Sequence, residues 1–319
     1  MKKVVRPDLT QKGSNIKKGM QMADYGYRNY GDHYRKNQIK KIAYHVFIKP
    51  RFTQWWFNFL TNSELSEVFK HRPLLYMKPY RVYISTKWNR KKALEVILDT
   101  YRFLDQYPLI KKNYLEQENG ITLSNLQLGE SSAEIRFCYD DQFRKEGDLT
   151  LTLYCDDLGG KVISTCFSIT KDENDKWGAI VGCVQGHSTI EDPAAFKKTQ
   201  KMMHGMRPNS VIMYALQAFI SNTNCKSIRC VSDKHHSYKK KHAIHLPYIH
   251  TINFDYNQFW KEVGGVKEND WWYQLETTPT PHKDMSEIKS KKRAMYRRRF
   301  EMLDTMREDI TKVFKNLGE

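Results

Sequence analysis

Near residue 120 the hydrophobic period of this chain changes from 3.6 to 2, and beyond residue 186 it changes back. A chain that writes helices, then a run of strands, then helices again points to an α+β fold, not to a bundle or a regular βαβ alternation. Upstream of the change, Phe52, Trp55, Trp56, Phe59 and Leu60 follow helical spacing, and Ser63, Glu64 and Glu67 mark the start of a further helix. Leu94, Ile97, Leu98, Tyr101 and Leu104 form the stripe of an amphipathic helix that ends before Tyr107-Pro108. Between them RPLLYMKPY reads as a turn or extended link, because Pro73 and Pro79 interrupt any α-helix there. The Trp/Phe cluster at 52–59 is expected in the core, with a membrane-interface anchor as the alternative.

Residues 133–140, 148–155, 161–170 and 177–186 read as consecutive strands of a meander, joined at DLGG and DENDK. Leu149, Leu151 and Leu153 alternate with Thr150, Thr152 and Tyr154, whereas 177–186 is apolar throughout, as a central strand covered on both faces would be. Helices are expected over about 190–206 and 208–222, a strand over 226–233, a short helix through DYNQFWKEVGG, and a strand at WWYQLE. Met295, Met302, Leu303, Met306, Ile310, Phe314 and Leu317 mark a long final helix over 286–319. The fold expected is α+β: N-terminal helices, a central, mostly antiparallel sheet with flanking helices, and a long C-terminal helix. Four regions follow: a basic flexible arm over 1–25, a helical region over 26–115, an α+β core over 116–282 and a basic helix over 283–319.

The chain carries 53 basic against 36 acidic residues, a net of +17. Residues 1–51 hold 13 of the basic residues against Asp8, Asp24 and Asp32, with Tyr25, Tyr27, Tyr30, Tyr34 and Tyr44 interleaved. Residues 289–299 hold seven more and no acid, so Lys291, Lys292, Arg293, Arg297, Arg298 and Arg299 are the candidate anion-binding set. An anionic partner is expected, either RNA or inner-leaflet lipid. RNA-module signatures such as an aromatic RNP motif, a GXXG loop or a zinc knuckle are missing from the sequence. Six cysteines without a C-x-x-C pair read as small buried hydrophobes. The start has no apolar signal segment and no run reaches the length of a membrane span, so the expected location is cytoplasmic, peripheral to the inner membrane at most.

Several segments occur in a characteristic order: KPYRVYIS, EGDLTLTL, IVGCVQG, KKTQKMMHGMRPNSVIMYALQAF, VSDKHH, FDYNQFWKEVGG and EIKSKKRAMYRRRFEMLD. Together they resemble the VirK/YbjX family of bacterial proteins, over about residues 40–310. The resemblance implies a cytoplasmic protein of a Gram-negative bacterium with a role in virulence. It implies support for an outer-membrane virulence protein after transcription, and for envelope resistance to cationic peptides. It carries over no catalytic residue.

The element order from the meander onward is also similar to the N-acetyltransferase superfamily. There a splayed strand pair admits an acyl donor, and a helix N-terminus binds its pyrophosphate. Gln185, Gly186, His187 and Ser188 would form that donor loop, although the usual signature has two glycines and only Gly186 is present. Glu146, with Asp148 beside it, and His204 are the candidate acid–base residues, set against an exposed strand-entry turn and a satisfied histidine respectively. His235, His236, His242, His245 and His250 read as a solvated basic loop, and no metal site is expected. No cofactor is expected either, an acyl thioester being the one donor the likeness would admit. Three functions follow: a virulence-support protein, non-enzymatic or of unproven activity, an acyltransferase acting on an envelope lipid or protein, and an RNA-binding post-transcriptional factor.

Overall fold

The computed structural model describes residues 5–187, 193–239 and 254–318. The chain forms two compact units, Met1–Arg81 and Val82–Glu319.

The first unit is helical: α1 (Asn15–Gly26), α2 (Asp32–Ile48), α3 (Pro50–Asn62) and α4 (Ser66–His71), followed by a 3-10 helix at Pro73–Tyr80. Two expectations are corrected in it. The arm expected over 1–25 is helical from Asn15, because Gly19, Met22 and Ala23 sit at helical spacing and are buried, a pattern masked by the surrounding lysines. The link expected at 73–80 is a buried 3-10 helix. Pro73 and Pro79 suit its fixed φ, and the Trp56 indole donates to the Tyr76 carbonyl at 3.0 Å, seating it in the core. Trp56, Phe57 and Leu60 of α3 are buried, as expected of a core cluster, but Trp55 is 47% exposed.

The second unit is built on one sheet in the order β1-β2-β3-β4-β5-β6-β8-β7. The strands are β1 (Ile121–Leu128), β2 (Ser131–Cys138), β3 (Leu149–Cys155), β4 (Gly160–Lys171), β5 (Trp177–Gly186), β6 (Ile228–Val231), β7 (Val266–Lys267) and β8 (Trp272–Leu275). All neighbours are antiparallel except β5 and β6, which run parallel. The helices are α5 (Arg90–Leu104), α6 (Pro108–Glu116), α7 (Pro193–Met202), α8 (Pro208–Ser221), α9 (Tyr256–Glu262) and α10 (Arg293–Leu317). The α+β class, the meander and the long last helix are as the sequence predicts. β1 was not separately legible, since Ser124, Asn125 and Gln127 blur its alternation.

Both faces of β4 are covered. Thr165 and Phe167 meet α8, through Met213 and Phe219, while Thr170 on the other face donates to Asp99 of α5 at 2.6 Å. Phe219 is the hub of the α8 side, with ring centres at 4.9 Å from Phe137, 5.9 Å from Phe167 and 5.0 Å from Phe314 of α10. On the α5 side the hub is polar. The buried carboxylate of Asp148 accepts from the hydroxyls of Tyr101 at 3.1 Å, Ser168 at 3.4 Å and Tyr83, and its carbonyl accepts from Tyr114 at 2.5 Å. All six cysteines are free and buried.

Phe219→Ala removes the ring on which three others converge. The expected loss is about 3–5 kcal/mol, read as a lower urea midpoint, with Phe219→Leu losing clearly less.

Candidate functional site

The segment that leads into β3 lies directly on the sheet. A β-carbon on Gly182 would sit 1.8 Å from the Glu146 carbonyl oxygen, and one on Gly147 would sit 2.5 Å from the Phe167 carbonyl oxygen. Both glycines are therefore required for the backbone of 146–147 to reach β4 and β5. The register explains why Gly182 is where contact occurs. Cys166 faces Cys183 and Phe167 faces Val181, so Gly182 is the extra residue of a bulge.

The same strand loses its neighbour at this point. β5 pairs with β6 at Ala179↔Ile228, Ile180↔Arg229 and Val181↔Cys230, and β6 ends at Val231 while β5 continues to Gly186. The edge so released is met by α9, whose Tyr256 hydroxyl donates to the Val184 carbonyl at 3.2 Å. His236 stacks on Tyr256 at 4.8 Å and on Tyr238 at 5.7 Å, with nearly parallel rings. The Trp260 indole closes the end of β6 by donating to the Val231 carbonyl at 2.8 Å.

Glu146 projects into this cluster and is 1% exposed. One carboxyl oxygen accepts from the Ser237 hydroxyl at 3.1 Å, and the other is buried with no hydrogen-bond partner among the described residues. Burial lifts its pKa from 4.5 to about 7, against the opposing pull of the Lys145 charge and the Ser237 bond. His236 is equally buried and shifted the other way, down to about 4, again chiefly by burial. It is a neutral imidazole at neutral pH. Its Nδ1 accepts from the Tyr238 N–H at 3.4 Å, and the ring also bonds to the Gly182 backbone. Burial also keeps the hydroxyl of Tyr256 protonated far above its ordinary range.

The frame around the cluster is strained. Ile84 is fully buried with φ +54°, a region that costs a β-branched residue roughly 1–3 kcal/mol. It is fixed by two bonds that flank the site, from its N–H to the Lys145 carbonyl at 2.6 Å and from the Thr86 N–H to the His235 carbonyl at 2.8 Å.

The sequence-derived candidates disperse. The expected exposed turn at 145–148 is corrected: Glu146 and Asp148 are both buried, Glu146 in this cluster and Asp148 in the tyrosine network. The expected solvated histidine loop is corrected for His235 and His236, which are buried, while His242, His245 and His250 lie outside the described residues. Gln185 is exposed and His187 is half-buried, with its Nε2 at 2.9 Å from the Ser164 hydroxyl; Ser188 lies outside the described residues. His204 has φ +51° in the turn after α7, and its carbonyl accepts from Arg299 Nε at 3.1 Å and Nη2 at 2.8 Å. Arg299 is thus engaged with that turn, and Arg293 donates to the Ile288 carbonyl at 3.0 Å. Lys291, Lys292, Arg297 and Arg298 are exposed. Ser237, Tyr256 and Gly182 were missed; only the glycine inside an apolar strand carried a signal, that of a bulge.

The model of a family described as "Protein of unknown function (DUF535)" matches residues 31–312. The chain belongs to the VirK/YbjX family. A protein of Escherichia coli (strain K12) described as "Uncharacterized protein YbjX" is 27% identical over 292 residues, 88% of this chain and 85% of that one. A Haemophilus influenzae protein is 30% identical over 131 residues, 41% of this chain and 42% of that one. A second match to that organism is 26% identical over 136 residues, covering 43% and 42%. In this VirK/YbjX-family chain no described helix is long and apolar enough to cross a membrane. Among the described residues no three His, Cys, Asp or Glu side chains are grouped as metal ligands.

Because the Glu146 pKa is raised, its stabilising contribution is complete below pH 4.5 and is lost as pH rises through about 7. His236 has the opposite sign, contributing above pH 6.5 and losing its contribution as pH falls through about 4. Glu146→Gln isolates the first effect. Relative to the parent it should gain about 2–3 kcal/mol between pH 4.5 and 8, measured by urea unfolding at a series of pH values.

Proposed function

We propose that this chain is an acyltransferase-like enzyme that moves an acyl group from a thioester to an amine or hydroxyl, with Glu146 as general base. The observation that carries the reading is a buried carboxyl with one oxygen unpartnered among the described residues, held where β5 loses its strand neighbour. A group poised near pH 7 has both protonation states available at neutral pH, as proton transfer requires. The strand order and the single parallel pair support the likeness to N-acetyltransferases.

In the reaction the acceptor nitrogen or oxygen attacks the thioester carbonyl and its proton passes to Glu146. The new C–N or C–O bond forms, the C–S bond breaks, and the departing thiolate takes up a proton. Tyr256 bonds to the Val184 carbonyl within the gap, so a donor lying there would replace that bond. The loop Gln185–Ser188, with its single glycine, favours an acyl group borne on a carrier over a free nucleotide-bearing donor. The envelope role that the resemblance implies would follow from an envelope lipid or protein being the acceptor.

The test is thiol release from an S-acyl pantetheine in the presence of a primary amine. Release should rise through a single ionisation near pH 7 and fall roughly 100-fold or more in Glu146→Gln. An equal rate in that variant, or none in the parent, rejects the proposal.

A further inference from the structure

A second feature lies within the first unit and stands independently of the acyl-transfer reading. From His33 to Ser63 the chain contains no acidic residue, while Arg35, Lys36, Lys40, Lys41, Lys49 and Arg51 supply six positive charges. Its apolar side chains are not all inside. Tyr44 is 63% exposed, Phe47 71%, Ile48 49% and Trp55 47%. Tyr44, Phe47 and Ile48 share one side of α2 at i, i+3 and i+4. Trp55 on α3 is linked to Tyr44 by a line of ring contacts that runs through buried Tyr80: Tyr44 to His45 at 5.7 Å, His45 to Tyr80 at 5.8 Å, Tyr80 to Phe52 at 5.7 Å and Phe52 to Trp55 at 5.7 Å. Tyr44 and Trp55 are therefore the outer ends of one line of rings rooted in the core, with Phe47 and Ile48 beside Tyr44 on α2.

We infer that this face seats on an anionic lipid bilayer. Aromatic rings of Tyr and Trp settle at the headgroup level, Phe and Ile reach the acyl boundary, and flanking Lys and Arg meet lipid phosphates. Charge separates the occupants. Arg35 is paired with Asp24 and Asp32, but the remaining Lys and Arg leave the face net basic, so a second copy would oppose like charges and be repelled. Stacking on bases would use the three rings but gives no role to Ile48, an exposed aliphatic side chain beside them.

The experiment is co-sedimentation of the full chain with vesicles of phosphatidylcholine, with and without phosphatidylglycerol. Binding should require phosphatidylglycerol and weaken with salt. It should fall about tenfold in the variant carrying both Phe47→Ser and Trp55→Ser, two apolar side chains withdrawn from the interface. If that variant melts lower than the parent, Lys40→Glu with Lys49→Glu serves instead, and must abolish the phosphatidylglycerol dependence. Binding that ignores phosphatidylglycerol, no binding at all, or salt-sensitive retention on RNA that displaces the vesicles overturns the inference.

Discussion

One buried carboxylate organises the larger unit. Asp148 at the start of β3 draws hydroxyls from Tyr101 of α5 and Ser168 of β4, with Tyr83 ahead of α5, while its carbonyl takes the Tyr114 hydroxyl of α6. The successive helices α5 and α6 are thereby tied to the entry of β3, α6 also stacking Tyr114 on Phe137 at 4.7 Å. Charge-assisted bonds of this kind are stronger than neutral ones, and a buried charge stripped of its donors is costly enough to bias the chain toward the arrangement that supplies them all. Two residues earlier lies Glu146. With Gly147 pressed on β4 and Asp148 anchored, its position on β5 leaves almost no freedom.

The sheet was the most legible part of the sequence because burial on two faces writes itself as long apolar runs. β4 and β5 were located to within a residue or two. β1 was not, since an edge strand with polar outward residues resembles a loop. In the first unit α1 was hidden by lysines around a narrow buried stripe, and the prolines of 73–80 signalled a break that a 3-10 helix accommodates. The candidate site was half legible. Glu146 could be named, but a Lys-Glu-Gly-Asp run looks like any surface turn. What buries it is Gly182, far along the chain, together with Ser237, His236 and Tyr256 arriving from beyond β6. That convergence depends on tertiary approach, which no local pattern encodes.

Within the cluster the two titratable groups are perturbed by the same cause in opposite senses. Removal from water makes the glutamate a reluctant anion and the histidine a reluctant cation. Neither neutralises the other, since both prefer to be uncharged. Such a pair differs from a salt bridge: it holds a proton on the acid and keeps a second off the base over the same span of pH. Among the described residues the second carboxyl oxygen of Glu146 has no partner and remains as hydrogen-bonding capacity.

The contact between Gly182 and the Glu146 carbonyl also bears on how this chain can change over generations. A side chain at 182 cannot be accommodated by a rotamer shift nearby, because the obstacle is main chain, itself pinned one residue later against β4. A lineage that abandoned the glutamate could freely replace its carboxyl while still being unable to replace either glycine. The backbone crossing would then outlive any chemistry performed there, and a descendant without Glu146 would still carry the imprint of the strand beneath it.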